Sequence, residues 1–183
     1  MIVEETFLKD CLVIQPKVFK DERGYFYESF NLKIFQELTG IKINFVQDNR
    51  SQSSIGVLRG LHFQKGIHEQ AKLVSVIKGK VLDVVVDLRM KSSTFGKHFS
   101  IILDDKKHQQ LFIPRGFAHG FLVLEDNTIF SYKCDNYYNK ESESGIIFND
   151  CDLAISWDFP FEKIILSNKD QSLQTFKSYC LDI

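Results

Sequence analysis

The chain carries almost no excess of charge. Among 183 residues, 23 Lys and Arg stand against 24 Asp and Glu, a formal net charge of −1. A polyphosphate polymer is held mainly by a positive field, so DNA or RNA binding is not expected. A small phosphate ligand needs only a local basic patch and stays open. Cysteine is scarce: Cys11, Cys134, Cys151 and Cys180 lie scattered with no C-x-x-C spacing. That argues against a zinc knuckle or a thioredoxin-like site and fits thiols carried as small hydrophobes in a reducing cytoplasm. No apolar run reaches the roughly 18 residues of a membrane helix. The opening MIVEETFLKD is acidic early and short of apolar residues, so it does not read as a signal peptide. With three prolines and ten glycines, no linker, repeat or low-complexity tract interrupts the chain. One domain over residues 1–183 is expected.

What is abundant is aromatic. Phe, Trp and Tyr make up 13% of the chain, with 17 Phe alone, a bias that suits half-buried pleated surfaces. In VLDVVVDL, Leu82, Val84, Val86 and Leu88 share one face of a strand, and Val81, Asp83, Val85 and Asp87 share the other. Lys78-Gly79-Lys80 reads as a turn, so residues 72–77 and 81–88 are expected to form a hairpin. Further strands are expected at 43–48, 56–64, 98–103, 110–113, 119–125 and 128–136. One helix is expected where Asn31 can cap, Leu32, Phe35 and Leu38 recur at helical spacing, and Gly40 can terminate. A second short helix is expected around 171–176. The pattern points to an all-β chain with a few short helices, built as a β-sandwich or a jelly-roll barrel.

Two segments carry candidate chemistry. VLRGLHFQ (57–64) places Arg59 and His62 on one strand, and an imidazole there suits general base work. Strict alternation would send the two side chains to opposite faces, unless Gly60 between them permits a bulge. IPRGFAHGF (113–121) has the Pro-x-Gly-x-x-His spacing of a second cupin motif, a tight turn that delivers His119 onto the next strand. Metal-binding cupins place a second histidine where this chain has Gln64. Glu69 could add a carboxylate, but a neutral amide is a poor transition-metal ligand, so a pocket that has lost its metal is expected.

Together with these, DERGYFYESFN (21–31), FVQDNRS (45–51), KLVSVIKGKVLDVVVDLR (72–89), STFGKH (93–98), YKCDNYY (132–138) and IILSNKDQ (164–171) resemble the dTDP-4-dehydrorhamnose 3,5-epimerase family, in order along nearly the whole chain. The resemblance implies an isomerase that inverts C3 and C5 of a dTDP-linked 4-keto-6-deoxyhexose. It also implies an all-β cupin-type jelly-roll barrel, a reaction that uses no cofactor, and a homodimer that exchanges N-terminal strands. His62 resembles the catalytic base, Asp170 the carboxylate that orients it, Tyr132 the acid on the opposite face of the sugar, and Lys72 the cation near O4. Arg59, His119 and Arg23 resemble ligands of the nucleotide or its diphosphate. Glu28, Gln47 and Asn49 resemble contacts to the thymidine end, with the early residues coming from the partner subunit. Tyr138 resembles the ring that stacks on thymine, and Glu143 and Lys169 match further substrate contacts. Ser75 departs from the Arg that many relatives carry, and the loop KGIHEQA (65–71) is particular to this chain. Competing readings are an epimerase acting at C3 or C5 only or on a related nucleotide sugar, a metal-dependent cupin, and a non-catalytic sugar-nucleotide binder.

Overall fold

A computed structural model describes residues 1–182; Ile183, the last residue of the expected domain, lies outside them. In chain order the elements are β1 (Ile2–Glu5), β2 (Leu12–Gln15), β3 (Phe19–Asp21), β4 (Gly24–Phe26), α1 (Leu32–Thr39), β5 (Gln47–Ser53), β6 (Leu58–Gln64), β7 (Lys72–Lys78) and β8 (Lys80–Asp87). They continue with β9 (His98–Asp104), β10 (Gln110–Ile113), β11 (Phe117–Val123), β12 (Thr128–Cys134), β13 (Glu143–Gly145), α2 (Asn168–Gln171) and α3 (Phe176–Leu181). One antiparallel sheet runs β1-β2-β10-β7-β12-β5, the other β13-β6-β11-β8-β9, and β3-β4 stands apart as a small hairpin. Two such sheets packed face to face form the expected jelly roll. Among the described residues no helix is long and apolar enough to cross a membrane.

The hydrophobic pattern explains the layering. Between the sheets, Val74, Val76, Leu111, Ile113 and Phe130 of the first meet Val81, Val85, Leu103, Phe117 and Phe121 of the second. The other face of β8, with Leu82, Val84 and Val86, is covered by the C-terminal segment through Phe148, Leu153 and Trp157. Both faces of VLDVVVDL are therefore buried, which is why it reads as a near-continuous apolar run. On the far side of the first sheet, Leu12, Leu73 and Phe112 pack under Phe35 of α1.

The helix over 32–39 forms as expected. Asn31 Oδ1 accepts the Ile34 N–H at 3.2 Å, and Gly40 ends it in the left-handed region at φ 69°. Eight residues are too few to hold a helix alone. The wholly buried Phe35 anchors it, and truncating that ring to Ala would cost about 3–5 kcal/mol.

Three expectations need correction. Strands 72–78 and 80–87 do not pair as a hairpin: β7 lies between β10 and β12, and β8 between β11 and β9. Gly79, at φ 85°, instead carries the chain from one sheet to the other. Residues 43–46 are not strand; Ile43 and Phe45 pack beside Phe35 as an extended connection, and pairing starts at Gln47. The segment 171–176 is mostly the link between two helices, α2 capped by Ser167 and α3 capped by Thr175.

Candidate active site

The gap between the sheets opens at one end into a cleft of about 420 Å³. The second sheet supplies Arg59 and His62 from β6 and His119 from β11 as one wall. The first sheet supplies Lys72 from β7, Tyr132 from β12 and Asn49 from β5 as the facing wall. Ser167, Lys169 and Asp170 close one side from α2 and its cap.

Arg59 and His62 reach the same cleft because β6 is bulged. Arg59 pairs with Phe121 and His62 with His119, so three steps on β6 match two on β11. The extra residue breaks the alternation that would have separated the two side chains. Gly60 permits it, at φ 120° and with its Cα packed close on the Gly120 backbone.

His62 is only partly buried and its Nε2 meets Asp170 Oδ1 at 2.5 Å. Asp170 is buried, and its other oxygen accepts Ser167 Oγ at 2.7 Å. Ser167 Oγ in turn accepts the Asp170 N–H at 3.1 Å, so the cap that starts α2 also orients the carboxylate. Burial alone would raise the Asp170 pKa; the hydrogen bonds from His62 and Ser167 outweigh it and hold the carboxyl below the usual range. With Nε2–H committed to an ionised partner, Nδ1 is the nitrogen able to take a proton.

On the facing wall, burial raises the Tyr132 phenol, so it stays protonated. Burial also pushes the Lys72 ammonium down from the lysine range. Lys72 Nζ sits 6.0 Å from the centre of the Tyr132 ring. Among the described residues neither Lys72 nor Arg59 has a carboxylate within ion-pairing distance. Among the described residues Arg59 donates only to Ser53 Oγ, at 3.2 and 3.4 Å. Two uncompensated cations in one cleft favour an anionic ligand.

A smaller extension of about 280 Å³ shares His62, Lys72, Tyr132 and Asn49 and adds Gln47, Tyr138 and Glu143. There Tyr138 Oη donates to Glu143 Oε2 at 2.7 Å, and Lys169 forms an ion pair with the same carboxylate. Gln47 Oε1 accepts the Tyr138 N–H at 3.1 Å. Gln64 is tied into the fold, its Oε1 accepting the Asn139 N–H at 3.0 Å. Among the described residues no three His, Cys, Asp or Glu side chains converge as a metal site would require.

Residues 5–178 match the family model for dTDP-4-dehydrorhamnose 3,5-epimerase. The chain belongs to this epimerase family. It is 51% identical over 175 residues to the dTDP-4-dehydrorhamnose 3,5-epimerase of Escherichia coli strain K12, covering 96% of this chain and 94% of that one. The crystal structure of the enzyme of that name from Elizabethkingia anophelis NUHP1 superposes with a TM-score of 0.94 at 58% identity, covering 97% of each chain. A dTDP-6-deoxy-D-glucose-3,5-epimerase from Legionella pneumophila Philadelphia 1, solved in complex with dTDP-4-keto-L-rhamnose, superposes at 0.92 with 47% identity, covering 96% of this chain and 93% of that one. The all-β architecture is the cupin-type jelly roll of these epimerases.

Eleven of the thirteen residues singled out from sequence thus meet in the cleft or its extension. Arg23 and Glu28 do not. Arg23 lies at the exposed tip of the β3–β4 hairpin and pairs with Asp21 at 2.5 Å, and Glu28 accepts Asn31 Nδ2 at 3.0 Å. Sequence reasoning missed Ser167, although Ser167-x-x-Asp170 is a legible capping pattern. It also missed Asp83, whose carboxylate meets His119 Nε2 at 2.9 Å. An acid on the inward face of an apolar strand is a usable signal.

Proposed function

We propose that this family member is an isomerase inverting C3 and C5 of dTDP-4-dehydro-6-deoxy-D-glucose to give dTDP-4-dehydro-L-rhamnose, with His62 as base and Tyr132 as acid. The observation that carries this reading is the placement of those two side chains on facing walls of one cleft, with Asp170 behind the imidazole. A hydrogen on C3 or C5 is acidic because C4 is a ketone. His62 Nδ1 takes that proton, and the electron pair moves through the new C–C double bond onto O4. Lys72 faces the enolate oxygen; in a partly desolvated site its attraction to the growing charge is stronger than in water. Tyr132 returns a proton from the other side, and the configuration inverts. Only protons move, so the scheme uses neither metal nor cofactor. Base, acid and oxyanion partner each supply about 10²–10⁴ in rate.

Arg59, His119 and Lys169 hold the diphosphate end, and Gln47, Asn49, Tyr138 and Glu143 the thymidine end. The exposed β3–β4 hairpin supports a homodimer with exchanged N-terminal strands, since Phe19, Tyr25 and Phe26 are all more than half exposed. Arg23 and Glu28 would then serve the partner's cleft. Mixing R23A and H62A chains tests this: recovered activity supports exchange, and none refutes it. A cytoplasmic location fits the four unpaired cysteines.

The deciding experiment is incubation with the 4-keto sugar nucleotide in heavy water. Deuterium should enter at both C3 and C5. Entry at one carbon alone would make this a mono-epimerase, and entry at neither would end the reading.

A further inference from the structure

The interior of the barrel holds a carboxylate that the reaction does not use. Asp83 faces inward from β8 between Val81 and Val85 and has no exposed surface. A charge among valines is unfavourable unless it is paired. Its Oδ2 meets His119 Nε2 at 2.9 Å, while Oδ1 is the one buried side-chain oxygen or nitrogen among the described residues without a hydrogen-bond partner.

His119 is held by little else. Its ring lies nearly parallel to Phe130, with centroids 6.0 Å apart, and tilts against Phe121 at 6.3 Å. Asp83 is therefore its polar anchor. The carboxylate accepts a hydrogen bond from Nε2–H and leaves Nδ1 as the ring's other nitrogen. Nδ1 has no protein partner and is not among the fully buried unpartnered atoms, so it opens on the cleft that His119 lines. A diphosphate offers only acceptors, so Nδ1 can meet it only while carrying a proton, which makes the imidazole a cation.

We propose that Asp83 is a positioning residue for substrate binding: it turns His119 so that Nδ1 faces the diphosphate, and it supplies the buried negative charge that lets this imidazole bind as a cation. The inference rests on the reading of His119 as a diphosphate ligand. Asp83 also acts on Lys72, a second cation that faces it from β7, and on the Cys11 thiol, which burial keeps neutral.

The test compares dTDP with thymidine as probes of wild type and Asp83→Asn. The amide keeps the volume and removes the charge. Affinity for dTDP should fall about tenfold or more, affinity for thymidine should stay within about twofold, and KM should rise far more than kcat falls. Adding Asp83→Asn to His119→Gln should cost nothing further, because the effect passes through one residue. Equal losses for dTDP and thymidine, or a full further loss in the double variant, would overturn the proposal and leave Asp83 a packing residue. Should the variant not fold, ¹⁵N NMR of wild-type His119 decides: an imidazolium in the dTDP complex is expected, and a neutral ring overturns it. Wild-type protein without deuterium exchange would instead count against the epimerase reading itself.

Discussion

Replacing Asp170 by Asn changes one buried atom and should stop the chemistry. The wild-type carboxylate can only accept, so it fixes the His62 proton on Nε2 at 2.5 Å and keeps Nδ1 bare. Ser167 Oγ already donates to Oδ2 at 2.7 Å, so an asparagine keeps its carbonyl oxygen there and turns its NH₂ towards His62. An amide hydrogen facing Nε2 demands the opposite tautomer, with the proton on Nδ1, the nitrogen proposed as base. The imidazolium formed in the reaction also loses its counter-charge. The same tautomer reversal in histidine–carboxylate pairs lowers rates by about 10⁴, so a loss of about 10³–10⁴ is expected, or about 4–5.5 kcal/mol of transition-state stabilisation. The assay is deuterium entry at C3 and C5 followed by NMR, with dTDP affinity measured in parallel. Affinity should hold, because Asp170 touches the base and not the nucleotide. A variant that exchanges within tenfold of wild type would refute the reasoning, since the base would not depend on this carboxylate.

Three further outcomes follow from the geometry. Tyr132→Phe removes the proposed acid but not the proposed base, so deuterium entry should fall less than completed inversion; equal losses in the two readouts would remove Tyr132 from that role. Gly60→Ala would set a Cβ 2.5 Å from Gly120 Cα and 2.7 Å from the His119 carbonyl, at a φ of 120°, and should cost about 2–5 kcal/mol; an unchanged Tm would contradict the bulge argument. Asp87 is buried, which would raise its pKa, but hydrogen bonds from Arg89, Ser92 and Thr94 bring it down to about 2 from 3.8. A lowered folded-state pKa means stability that is present above about pH 4 and lost as pH falls towards 2, here about 2 kcal/mol. Urea unfolding, followed through the single buried Trp157, should show the gap between wild type and Asp87→Asn narrowing over that window, and a constant gap would refute the assignment.

Local pattern made much of this legible. Asn31, Phe35 and Gly40 placed a helix whose ends agree with the coordinates, because capping and periodicity there are contained within ten residues. Strand 110–113 was read to the residue for the same reason. The pairing of strands was not legible. A Lys-Gly-Lys turn looks alike whether the chain folds back on its own sheet or crosses to another, and only the burial of both faces of β8 decides it. The short helices near the C-terminus eluded periodicity because four and six residues span at most two turns. In the site, residue types and the family resemblance singled out side chains that the fold gathers at one cleft. The supporting contacts, Ser167 under Asp170 and Asp83 under His119, depend on distances between elements far apart in sequence.

The repeated change of sheet along the chain has a mechanical consequence. With β6 in one sheet and β12 in the other, the proposed proton acceptor and proton donor stand on separate plates, each stiff within itself through its own ladder of hydrogen bonds. The stacked rings of Phe121 and Phe130, 4.0 Å between centroids, act as a shim between those plates. Thinning or thickening the shim would slide one reagent past the other without a change to any group that meets the sugar.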